Sequence, residues 1–157
     1  KTYLALVVGE PPWPIGVDTR LTDRLADGEG FARRVAGADE DGEEAETLVR
    51  VLRRGRWPAQ PVGARTLPAA LLEVRPTTGR RHQIRLHLAA AGVPILGDDT
   101  YGGSPWGEAS ACYRTYLHAL RLELPLASGD AVIEAPCSFA EELGDAPEAA
   151  PEAAQKA

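Results

Sequence analysis

The stretch LLEVRPTTGRRHQIRLHLAAAGVPILGDDTYGG, residues 71–103, sets the architecture of this chain. It begins inside an apolar segment, 69–74, that is predicted to form a strand and to run into a proline turn. A helix is predicted over residues 80–91, because apolar residues recur there at the spacing of one helical face. The turn that follows, 94–103, would then return the chain beside this helix.

Signals at both ends bound the predicted helix. Thr77 or Thr78 is predicted to cap its start. Gly92 has the character of a residue just after a helical C-terminus. Within the return turn, Gly97-Asp98-Asp99 could suggest a polymerase or a metal site, but three residues carry little specificity. A structural turn is the better interpretation.

Strands account for most of the remaining ordered pattern. Segments 2–9, 47–52, 116–124 and 131–135 are predicted strands, and the first is apolar on both faces, so it is expected to be central. A helix remains possible at 116–124. Residues 53–68 contain three prolines and two glycines and are interpreted as a long connection with an insertion. The predicted class is therefore α+β, with a mixed, largely antiparallel sheet.

Length and composition predict one soluble domain. The chain has 157 residues, of which 44% are hydrophobic and 25% charged. We place the domain at 1–143 and a low-complexity Ala-Pro-Glu tail at 144–157. The sequence has no methionine and enters a strand almost at once, so we expect it to be a piece of something longer. No apolar run approaches the roughly 20 residues of a membrane span.

Two cysteines, Cys112 and Cys137, are too few for a disulfide framework or a four-cysteine zinc site. They are predicted to be small packing residues in a reducing compartment. A metalloprotease site is excluded as well, because His82 and His87 are five residues apart and no glutamate lies between them. Lysine occurs only at positions 1 and 156, which excludes a phosphate-binding P-loop.

The net charge of −6 argues against a nucleic-acid partner until its distribution is considered. Six acidic residues within 39–46 account for the whole excess, and the stretch 36–46 is predicted to be mobile. Residues 75–87, by contrast, hold four arginines and two histidines and no acidic residue. This basic stripe favours a phosphate backbone, although a solvated helix face would show the same pattern.

The start of the predicted helix would concentrate positive potential. Its dipole would place the positive end beside Arg80, Arg81 and His82, which favours an anion there. Arg81 and Arg85 are four residues apart, so they are predicted to share a helix face and to address one groove.

Two segments of the opening stretch, GRRHQIRLH at 79–87 and GVPILGDDTYG at 92–102, resemble the hallmark of RluA-type pseudouridine synthases. Three further blocks occur in the order typical of that family. KTYLALVVG at 1–9 is similar to its Lys-x-Tyr-x-Ala-x-Val-x-Gly strand, EAET at 44–47 to its Ala-x-Thr entry into a middle strand, and YLHAL at 116–120 to its Leu-His-Ala strand. The resemblance extends to about residue 140.

The resemblance implies an RNA-modifying isomerase that converts uridine in ribosomal or transfer RNA to pseudouridine, without cofactor or metal. It also implies a cytoplasmic protein, with a monomer as the favoured state. By resemblance, Arg85 is the arginine that keeps the nucleophilic aspartate ionised, and Tyr3 is the tyrosine that stacks on the uracil and helps to remove its proton. The alternatives are a surface arginine and a core tyrosine.

Five other residues are expected around the substrate. Leu117 matches an apolar wall of the base pocket, although an ordinary core leucine would look the same. His82 and Gln83 are interpreted as positioning or structural residues of the substrate site rather than catalytic ones. Arg80 and Arg81 are expected to meet RNA phosphate, which would make binding depend on salt.

One block of the family pattern does not occur in this sequence. The nucleophile of the family lies in a His-Arg-Leu-Asp block, and these 157 residues contain no such block. We therefore expect Arg85 to hold a negative partner that this polypeptide does not supply, and the chain alone to be inactive. The alternatives are a non-catalytic RNA-binding remnant of the same fold and a structural protein that reuses the fold.

Overall fold

The computed structural model describes residues 1–58, 65–107, 112–127 and 129–145. Within these ranges a single α-helix lies against a large sheet, with a small two-stranded sheet beside it. In chain order the elements are β1 (Thr2–Val8), β2 (Asp18–Leu21), β3 (Leu25–Asp27), β4 (Arg33–Val35), β5 (Thr47–Trp57), β6 (Leu67–Pro76), α1 (Gln83–Ala90), β7 (Leu117–Leu124), β8 (Ala131–Glu134) and β9 (Gly144–Asp145).

The large sheet has the strand order β2-β5-β6-β1-β7-β8, with β9 paired to the far end of β5. All pairings between its named strands are antiparallel, and among the described residues the one parallel contact is an isolated bridge between Ile15 and Val51. The predicted α+β class with a largely antiparallel sheet is therefore confirmed. The strand predicted at 116–124 is also confirmed, as β7, and the alternative of a helix there is wrong.

β1 occupies the centre of the sheet, as its apolar pattern predicted. Ala5, Leu6 and Val7 are fully buried, so both faces of the strand are covered. Burial of side chains on both faces supplies the main hydrophobic stabilisation of a central strand. The segment that follows α1 pairs with the part of β1 that β7 does not reach. The Leu96 amide donates to the Leu6 carbonyl at 2.9 Å, and the Leu96 carbonyl accepts from the Tyr116 amide at 2.9 Å.

The hairpin of β5 and β6 is longer than predicted. The ladder continues past a bulge after Val51, so residues 53–57 pair with 67–71 instead of forming the expected connection. Arginines in this part of β5 are accommodated by distant carbonyls, as when Arg54 donates to Pro11 and Trp13 at 2.9 and 2.7 Å. The remainder of the proposed insertion, 59–64, lies outside the described residues.

The helix begins later than predicted and without a threonine cap. α1 starts at Gln83, and the preceding His82 adopts a left-handed conformation with φ 58° and makes no side-chain cap. Thr78 instead donates to the Gln83 side chain at 2.7 Å and accepts from the Glu46 amide at 2.9 Å. The predicted end is confirmed, because Gly92 has φ 78°.

The region 15–44 contains the short strands β2, β3 and β4. Carboxylates of the acidic run bind arginines there: Glu40 with Arg34, Glu43 with Arg33, and Glu46 with Arg20. The mobility expected for 36–46 stays a prediction.

Smaller expectations have mixed outcomes. Cys112 and Cys137 pack against the main core, as predicted, and burial raises the pKa of the Cys112 thiol to about 11. The packed part of the chain extends past the boundary expected at residue 143, because Gly144 and Asp145 form β9. Residues 146–157 lie outside the described residues. Within the described ranges, no helix has the length and apolar character that crossing a membrane requires.

The turn after α1 leaves no room for a side chain at Gly103. A Cβ there would lie 1.7 Å from the Ile95 carbonyl oxygen, whereas a Cβ at Gly79 would meet nothing within 4 Å. We expect Gly103→Ala to lower the free energy of unfolding by about 1–3 kcal/mol through overpacking, and Gly79→Ala to change it by less than about 0.5 kcal/mol. Urea denaturation of both variants tests this, and equal midpoints would contradict the packing of the turn.

Candidate active site

A cavity of about 520 Å³ opens where β1, β7 and the start of α1 meet. Six of the seven residues predicted for the site line it: Tyr3, Arg80, His82, Gln83, Arg85 and Leu117. Arg81, the seventh, does not belong to its lining. Residues separated by more than a hundred positions in the sequence are thus brought together by the sheet and one helix.

The register of the sheet places the two apolar walls of the cavity. Tyr3 on β1 lies opposite Ala119 on β7, and Ala5 lies opposite Leu117. Leu117 is therefore the diagonal neighbour of Tyr3, and both side chains point to the same face of the sheet. Both are half-buried, so an aromatic ring and an aliphatic side chain remain available to a ligand.

Gln83 anchors the start of α1 to the neighbouring strands. Its side-chain oxygen accepts from the Thr78 hydroxyl at 2.7 Å and from the Arg80 amide at 3.0 Å. Its nitrogen donates to the Glu46 carbonyl at 2.8 Å and to the Thr47 hydroxyl at 2.9 Å. All four hydrogen-bonding positions of the amide are used, so Gln83 holds the cavity wall rather than a ligand.

Arg85 forms a two-pronged ion pair with Asp98. Its Nε and Nη2 atoms each lie 2.7 Å from a different carboxylate oxygen. The Asp98 side chain is 1% exposed and that of Arg85 is 24% exposed. The hydrogen bonds to Asp98 raise the pKa of Arg85 above its usual value. The third nitrogen of the guanidinium, Nη1, makes no hydrogen bond to any described residue. The Arg85 side chain lines the cavity, so Nη1 is available to a ligand there.

This pair corrects the expectation that the chain supplies no negative partner for Arg85. Asp98 was interpreted only as part of a turn, and it does lie in one, since its carbonyl accepts from the Gly103 amide at 2.8 Å. The same turn brings the Asp98 carboxylate into contact with Arg85, which lies 13 positions earlier in the sequence. A buried aspartate needs such a partner, but the sequence alone does not identify the arginine.

Tyr101 is a second residue that the sequence did not single out. Its ring lies under Arg85, with 4.7 Å from the guanidinium carbon to the ring centroid. Its hydroxyl is 2.7 Å from Nδ1 of His82 and accepts a hydrogen bond from the Arg33 amide at 3.1 Å. Burial, followed by the charges of Arg85 and Arg81, lowers the pKa of His82.

The basic stripe is met by carboxylates from elsewhere in the chain. Arg80 lies 3.3 Å from Glu43, and Arg81 lies 3.6 Å from Asp27. Arg81 precedes α1, so the predicted helix face shared with Arg85 is wrong. Arg80 and Arg81 are 42% and 47% exposed, and exposed ion pairs contribute little stability. A phosphate group could therefore replace either carboxylate at small cost.

The second histidine of the motif is structural. His87 is fully buried, and its ring nitrogens lie 2.9 Å from the Thr47 hydroxyl and 2.9 Å from the Asp23 carbonyl. Among the described residues, no group of three or more His, Cys, Asp or Glu side chains is arranged to hold a metal ion.

Comparison with known proteins gives one consistent family. A family model described as RNA pseudouridylate synthase matches residues 1–90. The tRNA pseudouridine synthase C of Vibrio cholerae is 33% identical over 124 residues, which are 79% of this chain and 48% of that protein. The ribosomal large subunit pseudouridine synthase C of Haemophilus ducreyi is 32% identical over 141 residues, 87% of this chain and 40% of that protein.

A solved structure agrees with these sequence matches. Human RNA Pseudouridylate Synthase Domain Containing 1 superposes with a TM-score of 0.73 at 26% identity, covering 88% of this chain and 54% of that one. This chain therefore spans about half the length of the proteins it matches.

Replacing Asp98 tests the ion pair. Asp98→Asn keeps the shape but removes the charge that compensates Arg85, so we expect the free energy of unfolding to fall by about 2–3 kcal/mol. This is less than the loss for a fully buried pair, because Arg85 is partly exposed. The exposed neighbour provides the control, since Asp99→Asn should cost less than about 1 kcal/mol. Equal urea midpoints for the two variants would show that the pair does not stabilise the fold.

Proposed function

Because this chain belongs to the RNA pseudouridylate synthase family, we propose that the protein isomerises uridine to pseudouridine in structured RNA, either ribosomal or transfer RNA. The observation that carries the proposal is the meeting of Tyr3, Leu117 and Arg85 in one cavity. These are the residues that resemblance to RluA-type enzymes assigns to the uracil and to the nucleophile.

The size and lining of the cavity fit a single flipped-out nucleotide. About 520 Å³ lies within the range of pockets that hold small ligands. A target base has to leave its helix before chemistry can reach it, and a pocket must then replace the lost stacking. The Tyr3 ring can supply about 1–3 kcal/mol of stacking, with Leu117 as an apolar side wall.

The reaction requires an ionised carboxylate in a site sheltered from water. In the family an aspartate bonds to the sugar as the bond between the base and the sugar breaks, and the freed uracil turns. Its carbon 5 then bonds to the same sugar carbon as the bond to aspartate breaks and the carboxylate leaves. The proton on that carbon then leaves, a step in which Tyr3 is proposed to help. A guanidinium beside the carboxylate favours its charged form, and we propose this task for Arg85.

Asp98 is not a suitable nucleophile itself. It is 1% exposed, and each of its carboxylate oxygens is bound by Arg85. It holds two of the guanidinium nitrogens and leaves Nη1 for a second carboxylate. No His-Arg-Leu-Asp block occurs in these 157 residues, so we propose that the nucleophile is supplied by additional polypeptide and that the chain alone is inactive.

Contacts with RNA outside the cavity are proposed for Arg80 and Arg81. Both are exposed beside the start of α1, and Arg80 also lines the cavity. Phosphate would compete with Glu43 and Asp27 for them, so RNA affinity should fall as salt rises. We further propose a monomeric cytoplasmic protein that needs neither metal nor cofactor, in keeping with its two unpaired cysteines.

A non-catalytic RNA-binding protein is the second candidate. The absence of the His-Arg-Leu-Asp block from these residues is the observation that favours it. It would keep the cavity and the exposed arginines while lacking the group that attacks the sugar.

Tritium release separates the two candidates. Protein expressed from the whole reading frame is incubated with ribosomal and transfer RNA labelled with tritium at carbon 5 of uridine. We expect release by the wild type and a loss of about 100-fold or more in Arg85→Lys, because lysine cannot bind Asp98 and a second carboxylate in a fixed fork.

Arg121→Ala serves as the control, since Arg121 pairs with Glu123 and Glu134 outside the cavity and should leave the rate unchanged. No release by the wild type from any RNA pool would contradict the enzymatic proposal and favour the RNA-binding one.

A further inference from the structure

The hydrogen bonds of the Tyr101 hydroxyl determine which nitrogen of the His82 ring carries the proton. Its oxygen accepts a hydrogen bond from the Arg33 amide at 3.1 Å, and a backbone amide can only donate. The hydroxyl must then donate its own proton, and among its described partners the acceptor is Nδ1 of His82, 2.7 Å away. With the opposite arrangement, the partly buried hydroxyl would find no acceptor among these described partners, which leaves a hydrogen bond unmade.

An imidazole that accepts at Nδ1 and stays neutral carries its hydrogen on Nε2. His82 lines the cavity, and its Nε2 atom makes no hydrogen bond to any described residue. We propose that His82 donates from Nε2 to an acceptor oxygen of the target uridine, and that Tyr101 is the positioning residue that fixes this tautomer; the inference rests on the proposed function.

The charges around the ring favour its neutral form. Arg85 faces it from α1, Arg81 from the turn before α1, and Arg33 from β4, while Asp98 opposes them from the return turn. Burial and the three arginines outweigh the one carboxylate and lower the pKa of His82. The ring therefore stays neutral to a lower pH than an unperturbed histidine would. A neutral donor can orient a base oxygen without competing with Arg85 for an anion.

The backbone at His82 supports a role beyond helix capping. Its φ of 58° and ψ of 15° lie in the left-handed region, which residues other than glycine seldom adopt, although histidine does so more often than most. The side chain makes no cap hydrogen bond to the first turn of α1. Strained conformations of this kind are often found at functional sites. Here the ring is bonded to Tyr101 and lies on the cavity wall instead.

The β3–β4 hairpin takes part in this arrangement through its backbone. The Arg33 amide of β4 occupies one lone pair of the Tyr101 hydroxyl, and the Arg33 side chain binds Glu43 and Asp27. The hairpin therefore contributes to the orientation of a side chain in the cavity without reaching the cavity itself.

The tautomer can be measured directly. The chain contains three histidines, so nitrogen-15 imidazole spectra at pH 7 are simple, and His82→Asn identifies the His82 signals. Asparagine suits the left-handed backbone and can still reach Tyr101 from the position of Nδ1. We expect a protonated Nε2 and an unprotonated Nδ1. A protonated Nδ1, in either the other tautomer or the imidazolium, would overturn the inference.

Kinetics with protein from the whole reading frame test the role. We expect His82→Asn to lower kcat/KM for tritium release about tenfold, because the donor no longer reaches the substrate. In Tyr101→Phe, loss of the bond to Nδ1 should raise the pKa of His82, so the acidic limb of the kcat/KM profile should move to higher pH.

The exposed Tyr113 offers a matched control, and Tyr113→Phe should leave both the rate and the profile unchanged. A wild-type kcat/KM in His82→Asn would overturn the inference while leaving the proposed function intact. No release by the wild type, with the expected tautomer present, would instead remove the proposed function and the substrate that this inference assumes.

Discussion

The ion pair between Arg85 and Asp98 is the contact around which the site is built. Asp98 is almost fully buried, and a carboxylate without compensation at that depth would be strongly destabilising. Its partner lies on α1, and the turn that carries Asp98 follows the segment paired with β1. Closing the pair thus fixes the helix against the centre of the sheet, and the cavity lies where these elements meet.

Polar groups around the cavity divide into those already bonded and those still open. Gln83 uses its entire amide on neighbouring residues, and Asp98 uses both oxygens on Arg85. Nη1 of Arg85 and Nε2 of His82 have no hydrogen-bond partner among the described residues. The walls are therefore held rigidly by internal bonds, while two donors of different charge remain for a ligand. Such an arrangement positions a substrate without reorganising the protein.

Local pattern was sufficient to predict the framework. An apolar strand with two buried faces had to be central, which β1 is, and Gly92 marked the end of the helix. Resemblance to the family gathered Tyr3, Leu117 and Arg85, which lie on three different elements. Periodicity alone could not have associated them.

Long-range contacts explain what the sequence did not predict. β5 continues through several arginines because groups elsewhere in the chain accept their hydrogen bonds; Arg54, for example, donates to the carbonyls of Pro11 and Trp13, some 40 positions away. Asp98 and Tyr101 contact Arg85 because the return turn packs against α1, which the local sequence does not show. The basic stripe likewise pairs with a carboxylate of the acidic run, as Arg80 does with Glu43. The start of α1 was misplaced because a left-handed histidine leaves no sequence signal.

A crystal structure of the whole protein bound to its target RNA tests where the base and the two carboxylates lie. The account requires the flipped uracil to stack on Tyr3 at about 3.5–4.0 Å, with Nη1 of Arg85 bonded to the nucleophilic carboxylate while Asp98 retains Nε and Nη2. A base bound elsewhere, or an Arg85 side chain turned out of the cavity, would contradict it.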